Sequence, residues 1–136
     1  VDRLTPGERS KLMSRVRAGN TTPEIAVRRL LHSLGYRFRL HSSGLPGRPD
    51  IVLPGKRKII FVHGCFWHRH PRCRKATTPA SNRDFWALKF KQNIERDKRQ
   101  QRELRRMGWD VLVVWGCETG NLERLKDRIS SEMEMD

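Results

Sequence analysis

Residues 62–73 read Val-His-Gly-Cys-Phe-Trp-His-Arg-His-Pro-Arg-Cys and hold three of the five histidines and two of the three cysteines. Immediately before them, Lys58-Ile59-Ile60-Phe61 is a short apolar run that reads as a buried strand. The histidines and cysteines therefore emerge where a core strand becomes a loop, a place where a scaffold holds reactive groups rigidly. Whatever this chain folds into has to present that loop.

The spacing Cys65-x4-His70-x2-Cys73, with Cys117 just past the end of a later strand (Trp109 to Trp115), supplies three thiolates and one imidazole. Such a set suits a closed, structural Zn²⁺ site. His68 is the competing imidazole, and the alternative is that these are ordinary buried cysteines. If a metal closes Cys65 onto His70, then Phe66 and Trp67 sit in a small pinned loop and cannot both turn inward. That predicts an exposed, rigid aromatic pair of the kind that stacks on or wedges between bases. The alternative is that the pair packs on the sheet edge.

Along the chain, Thr5-Pro6-Gly7-Glu8 has the signature of a helix start and predicts a short basic helix at about 6–18. Thr22-Pro23-Glu24 opens a second helix, whose Val27, Leu30, Leu31 and Leu34 follow the spacing of a core face and which Gly35 ends. Glu24 lies in its first turn, where the helix dipole alone favours an acid. Tyr36, Phe38 and Leu40 alternate with polar residues and predict a half-buried strand. A Gly- and Pro-rich loop then leads to Asp50. Ile51 to Leu53 and Lys58 to Val62 flank a turn at Pro54 to Arg57 and read as a hairpin. Its register places Asp50 across from Phe61 or Val62, with His63 beside the carboxylate. That is one way to hold Mg²⁺ for phosphodiester hydrolysis.

A long basic helix is expected from Ser81-Asn82 to about Met107, with Phe90, Ile94, Asp97, Gln101 and Leu104 on its core face. Asp97 there is a carboxylate on an apolar stripe and needs a partner. Trp109 to Trp115 reads as the most convincing buried strand, and Leu122, Leu125 and Ile129 mark a last amphipathic helix at about 120–134. The pattern predicts an α/β fold with a mixed central sheet flanked by helices, in a single domain over 1–136 whose catalytic and zinc core spans about 22–118.

Charge narrows the partner. Lys+Arg number 29 against 15 Asp+Glu, a net +14 with an isoelectric point near 11.0, which points to a polyanion and first to nucleic acid. The absence of a long apolar run and of an amphipathic basic helix argues against a membrane. Three cysteines argue against a disulfide framework and for an intracellular protein. No apolar surface stripe suggests a dimer, so a monomer is expected.

The segments Leu45 to Asp50, Phe61 to His68, Asn93 to Asp97 and Val113 to Cys117 together resemble the very-short-patch-repair (Vsr) mismatch endonucleases. The likeness runs from about Arg9 to Cys117 and is weak over the last helix. It implies a restriction-endonuclease-like fold and a Mg²⁺-dependent nick 5′ of the thymine in a T:G mispair left by deamination of 5-methylcytosine. By the same resemblance, a cytosine methyltransferase and mismatch-repair proteins are implied partners and the bacterial cytoplasm the location, at the nucleoid when bound to DNA.

Carried onto this sequence, Asp50 and the Val62 carbonyl would hold Mg²⁺. His63, His68, Glu24 and Asp97 would form the rest of the catalytic group, with either histidine as base. Cys65, His70, Cys73 and Cys117 would bind Zn²⁺. Met13, Phe66 and Trp67 would wedge into DNA, with Arg48 and Asn93 also on the DNA-binding face. Three departures stand out: Val62 where relatives can have threonine, one extra residue at Pro71-Arg72, and Arg69 where another histidine can follow His68. A zinc-stabilised DNA-binding module without catalysis, or a same-fold nuclease acting on unmismatched duplex, are the rival readings.

Overall fold

The computed structural model describes residues 21–134; the expected basic helix at 6–18, and Met13 with it, lies outside the described residues. Helix α1 spans Thr22–Ser33 and is capped one residue earlier than its sequence suggests, because the Thr21 hydroxyl accepts the Glu24 amide at 3.3 Å. Pro23 sits in its first turn and Gly35, at φ +84°, takes the left-handed conformation that ends it.

Four strands follow the order β1-β2-β3-β4: Arg39–Leu40, Ile51–Leu53, Lys58–His63 and Asp110–Trp115. The first three form an antiparallel meander, and β4 lies parallel to β3. That parallel pair needs a crossover, which helix α2 (Arg83–Arg106) provides. Helix α3 (Leu122–Glu134) closes the described chain.

Strand alternation divides the apolar residues between two faces. Ile51, Leu53, Ile60, Leu112 and Val114 meet Val27 and Leu31 of α1 and Leu125, Ile129 and Met133 of α3. Val52, Ile59 and Phe61 meet Leu104 of α2, with Val111 and Val113 packed against them. The result is a mixed four-stranded sheet with helices on both sides. His63 continues the Ile59–Phe61 parity, and so faces α2.

Several expectations shift. The strand expected at 36–40 is only two residues long, and both are exposed; Tyr36 and Phe38 instead pack against the core from irregular backbone. Strand β4 is an edge with only Leu112 and Val114 buried, and β3 is the deeply buried strand. Along α2 the buried stripe is Trp86, Phe90, Asn93, Asp97 and Leu104, rotated from the expected one because the helix also covers the aromatic loop at 66–67. Leu122 is exposed, and Met133 takes the last core position of α3. Among the described residues, no helix is long and apolar enough to cross a membrane.

Candidate active site

The hairpin register pairs Leu53 with Lys58 and Ile51 with Ile60, so Asp50 continues opposite Phe61. Its Oδ2 accepts the Val62 amide at 2.7 Å. The expected His63 lines the same cleft as this carboxylate. The ligand atoms gathered around Asp50 are those of Glu24 and His41, all within 4.8 Å of one another, while His63 groups with His68 and Asp97. Both groups line one cleft of about 660 Å³, along with Arg48, Arg96 and Gln100.

Glu24 is far from a surface decoration of its helix. It is 1% exposed, and the His41 Nε2 lies 3.0 and 2.9 Å from its two oxygens, with Arg28 at 3.3 Å. Nothing local in the sequence marks His41. The pairing Leu40↔Ile51 carries it opposite Asp50, whose carbonyl accepts the His41 amide at 3.1 Å; the long loop between the two strands hides that register.

Burial pushes the Asp50 carboxyl up to about 7; the Val62 amide opposes that shift, and the neighbouring Glu24 adds to it. In the metal-free protein Asp50 is therefore largely protonated below pH 7, and a cation has to displace that proton. Affinity for a divalent cation is expected to fall about tenfold per pH unit below 7 and to level off above it. Calorimetric titration across that range checks this, and a flat profile would remove Asp50 from the ligand set.

The second group is built on β3, its following turn and α2. Asp97, 9% exposed, places Oδ2 2.5 Å from His68 Nδ1, the partner that a buried-face carboxylate needs. The His63 and His68 rings stack with centroids 3.8 Å apart and 6° between planes. His63 meets Trp115 edge-on at 5.6 Å.

Cys65, His70, Cys73 and Cys117 bring three sulfurs and one nitrogen within 4.8 Å of one another. His70 Nδ1 is 3.7 Å from Cys65 Sγ and 3.4 Å from Cys117 Sγ. Burial pushes the Cys117 thiol up to about 12, with Cys65 and Cys73 adding to the shift, whereas the Lys75 backbone holds the Cys73 thiol below its usual range. Crowded thiols of this kind ionise together only around a cation, so the donor set fits a thiophilic metal. Arg69, in place of a further histidine, closes the loop: its guanidinium donates to the carbonyls of Phe66, Ala76 and Thr77 and lies 4.0 Å over the Phe90 ring.

Three expected DNA contacts are placed differently. Phe66 and Trp67 both turn inward: Trp67 is 4% exposed and joins Trp86 and Phe90, with half-buried Phe66 packed edge-on against all three. Trp86, which falls outside the core face expected for its helix, supplies the surface that makes this possible. Asn93 is 1% exposed, and its Nδ2 donates to the Trp67 carbonyl at 3.1 Å. It braces the loop from beneath instead of facing solvent. Arg48 is exposed and lines the cleft.

The family model described as DNA mismatch endonuclease Vsr matches residues 1–75. The chain is 53% identical over 129 residues to the type II nicking enzyme V.XorIIP of Xanthomonas oryzae pv. oryzae, covering 95% of this chain and 94% of that one. It is 41% identical to the DNA mismatch endonuclease Vsr of Escherichia coli, over 91% of this chain and 79% of that one. It is 40% identical to the type II nicking enzyme V.NmeAIP of Neisseria meningitidis, over 96% and 92%.

Proposed function

The chain belongs to the Vsr family of DNA endonucleases, and from that premise we propose that it nicks duplex DNA 5′ of the thymine in a T:G mismatch, with Mg²⁺ in the cleft and Zn²⁺ in the cysteine cluster. The observation that carries this reading is the meeting of two kinds of chemistry in one cleft. A pair of carboxylates, buried Glu24 and half-buried Asp50, forms one group, and a histidine held by Asp97 belongs to the other. A DNA-binding module has no use for either. The mixed sheet with an acidic residue at the start of β2 also fits a restriction-endonuclease-like fold.

Asp50 and the Val62 carbonyl would hold Mg²⁺, which supplies Lewis-acid polarisation of the scissile phosphate and charge neutralisation. The Val62 amide keeps the Asp50 carboxylate aimed. Asp97 accepts the Nδ1 hydrogen of His68 and so leaves Nε2 as the nitrogen that takes a proton from the attacking water. The His63 ring, stacked on that of His68 with centroids 3.8 Å apart, holds the imidazole plane in place. Arg48 and Arg96, which line the cleft, supply positive charge for the flanking phosphates.

The wedge role proposed for Phe66, Trp67 and Met13 requires the aromatic pair to leave its packing on Trp86 and Phe90. A mispaired step, being cheaper to unstack, would repay that. The substrate arises from deamination of 5-methylcytosine, so a cytosine methyltransferase and mismatch-repair proteins are the proposed partners.

The test is strand cleavage of a labelled duplex with one T:G mispair beside its T:A control, in several methylated-cytosine contexts, with Mg²⁺ and with EDTA. A Mg²⁺-dependent nick of the thymine strand in the mispaired duplex alone is expected. Cleavage of both duplexes would overturn mismatch specificity, and binding without cleavage in every context would overturn the enzyme reading.

Asp97→Asn is expected to lower kcat about 10²–10⁴-fold, the share usually carried by a positioned general base. Metal content of the cysteine cluster and affinity for DNA should not change. Unaltered single-turnover cleavage would remove Asp97, and His68 as base, from the mechanism.

A further inference from the structure

We infer that His41 is a ligand of the cation in the cleft, which makes this a mixed nitrogen–oxygen site that binds Mn²⁺, or another first-row divalent ion, more tightly than Mg²⁺, while Mg²⁺ still fills it when in excess. The inference rests on the reading of Asp50 as a metal ligand and adds to it a residue outside the expected catalytic group.

The geometry around His41 brings it to the cation. Its Nε2 is aimed at the carboxylates, 2.9 and 3.0 Å from the Glu24 oxygens, and it shares with Glu24 and Asp50 a set of ligand atoms all within 4.8 Å. A separation of about 3 Å is that of adjacent ligands on one octahedral ion with bonds of about 2.1 Å. Its backbone is left-handed, with φ +48°, a conformation uncommon for a non-glycine residue. Finally, the conformation is locked, because the His41 amide donates to the Asp50 carbonyl at 3.1 Å. The main chains that carry the imidazole and the Asp50 carboxylate are thus joined directly.

The chemistry follows from the donor types. Mg²⁺ favours oxygen ligands and keeps much of its water. An imidazole beside two carboxylates adds a nitrogen donor that first-row divalent ions accept more readily. When no cation is present, Nε2–H donates to Glu24. With a cation bound, the neutral ring carries its hydrogen on Nδ1, which leaves the Nε2 lone pair for the ion.

The experiment compares wild type, His41→Gln and Asp50→Ala, each with its cysteine cluster loaded and its DNA absent. Mn²⁺ binding is measured by loss of the free-ion signal in electron paramagnetic resonance, and Mg²⁺ binding by competition. Pulsed measurements on protein labelled with ¹⁵N-histidine report a directly bonded nitrogen. Glutamine at position 41 can still donate to Glu24, and the ring is partly solvent-exposed, so the variant is expected to fold; matching thermal melts verify it.

Wild type is expected to show histidine nitrogen on bound Mn²⁺. His41→Gln should lose that coupling and bind Mn²⁺ about 10–100-fold more weakly, with a much smaller change for Mg²⁺. Retention of the nitrogen coupling, or an equal loss for both ions, would overturn the inference while leaving the Asp50 site standing. Wild-type-like binding of both ions by Asp50→Ala would overturn the cleft as the cation site altogether.

Discussion

Replacing Asp50 with asparagine abolishes strand cleavage, by at least about a thousandfold, while the protein stays folded and binds DNA as well as before or better. The loss follows from the several kcal/mol of transition-state stabilisation that a carboxylate-held cation supplies at a phosphoryl group. The retained fold follows from geometry. An asparagine side chain keeps an oxygen for the Val62 amide that Asp50 accepts at 2.7 Å, and it removes the charge that burial beside Glu24 disfavours. The sign of the stability change can be worked out. Asp50 titrates near 7 in the folded protein against 3.8 for an unperturbed carboxyl, so the folded state binds the extra proton between those values. Stability of the metal-free wild type therefore falls as pH rises through that window and is lowest above 7. The Asp50→Asn variant escapes the loss and should melt several degrees higher than metal-free wild type near pH 8, with the gap closing near pH 4. Affinity for DNA is preserved because one negative charge has left a cleft that faces phosphates. Cleavage assays, melts at both pH values and equilibrium DNA binding check the three parts. Residual cleavage within tenfold of wild type would remove Asp50 from the centre of the mechanism.

How far the sequence discloses this site depends on how local each signal is. Cys65, His70 and Cys73 are close in sequence, and their spacing alone suggests a metal; Cys117 needs only the end of a strand to be located. Asp97 is legible as an acid on an apolar stripe, and His68 proves to be its partner at 2.5 Å. His41 is not legible, since it reaches Asp50 through the pairing of a two-residue strand across a long loop. The inward turn of Phe66 and Trp67 escapes the sequence for a related reason. Their own loop gives no sign of Trp86 and Phe90, the aromatic floor that a distant helix places beneath it. Asn93 is misleading too, because its one visible property, polarity, suggests solvent, whereas its amide satisfies the Trp67 carbonyl inside that floor. Periodicity finds the helices and the buried β3 but does not tell an edge strand from a central one; Trp109 to Trp115 is as apolar as an interior strand and yet lies at the margin. Long-range register is what is missing in each of these cases.

Replacing Cys117 with serine, or stripping the cysteine cluster with a strong chelator, is expected to lower the melting temperature by at least about 10 °C and to abolish cleavage with it. Residues 64–82 contain no helix or strand. Their order rests on turn hydrogen bonds such as His70 to Cys65, on the Arg69 guanidinium and on the four convergent ligands. Cys117 is the ligand that ties this loop to the sheet, and its own turn is held firmly: Glu118 accepts the Trp115 amide at 3.0 Å and is gripped by Arg128 of α3 at 2.6 and 2.7 Å. Without a cation, three crowded thiols stand in a partly buried pocket that pushes Cys117 up to about 12, and the loop loses its ligand link beyond β4, keeping the His70 stack on Trp115. Cleavage fails here for a reason distinct from that in Asp50→Asn. His70 stacks on Trp115 at 4.3 Å, Trp115 meets His63, and His63 stacks on His68, so loosening His70 loosens the proton-transfer pair. The two variants separate cleanly. Asp50→Asn should hold one zinc per chain by elemental analysis and melt at or above wild type, whereas Cys117→Ser should hold far less and melt early. A zinc-free preparation that melted with wild type would leave the cluster as buried thiols and nothing more.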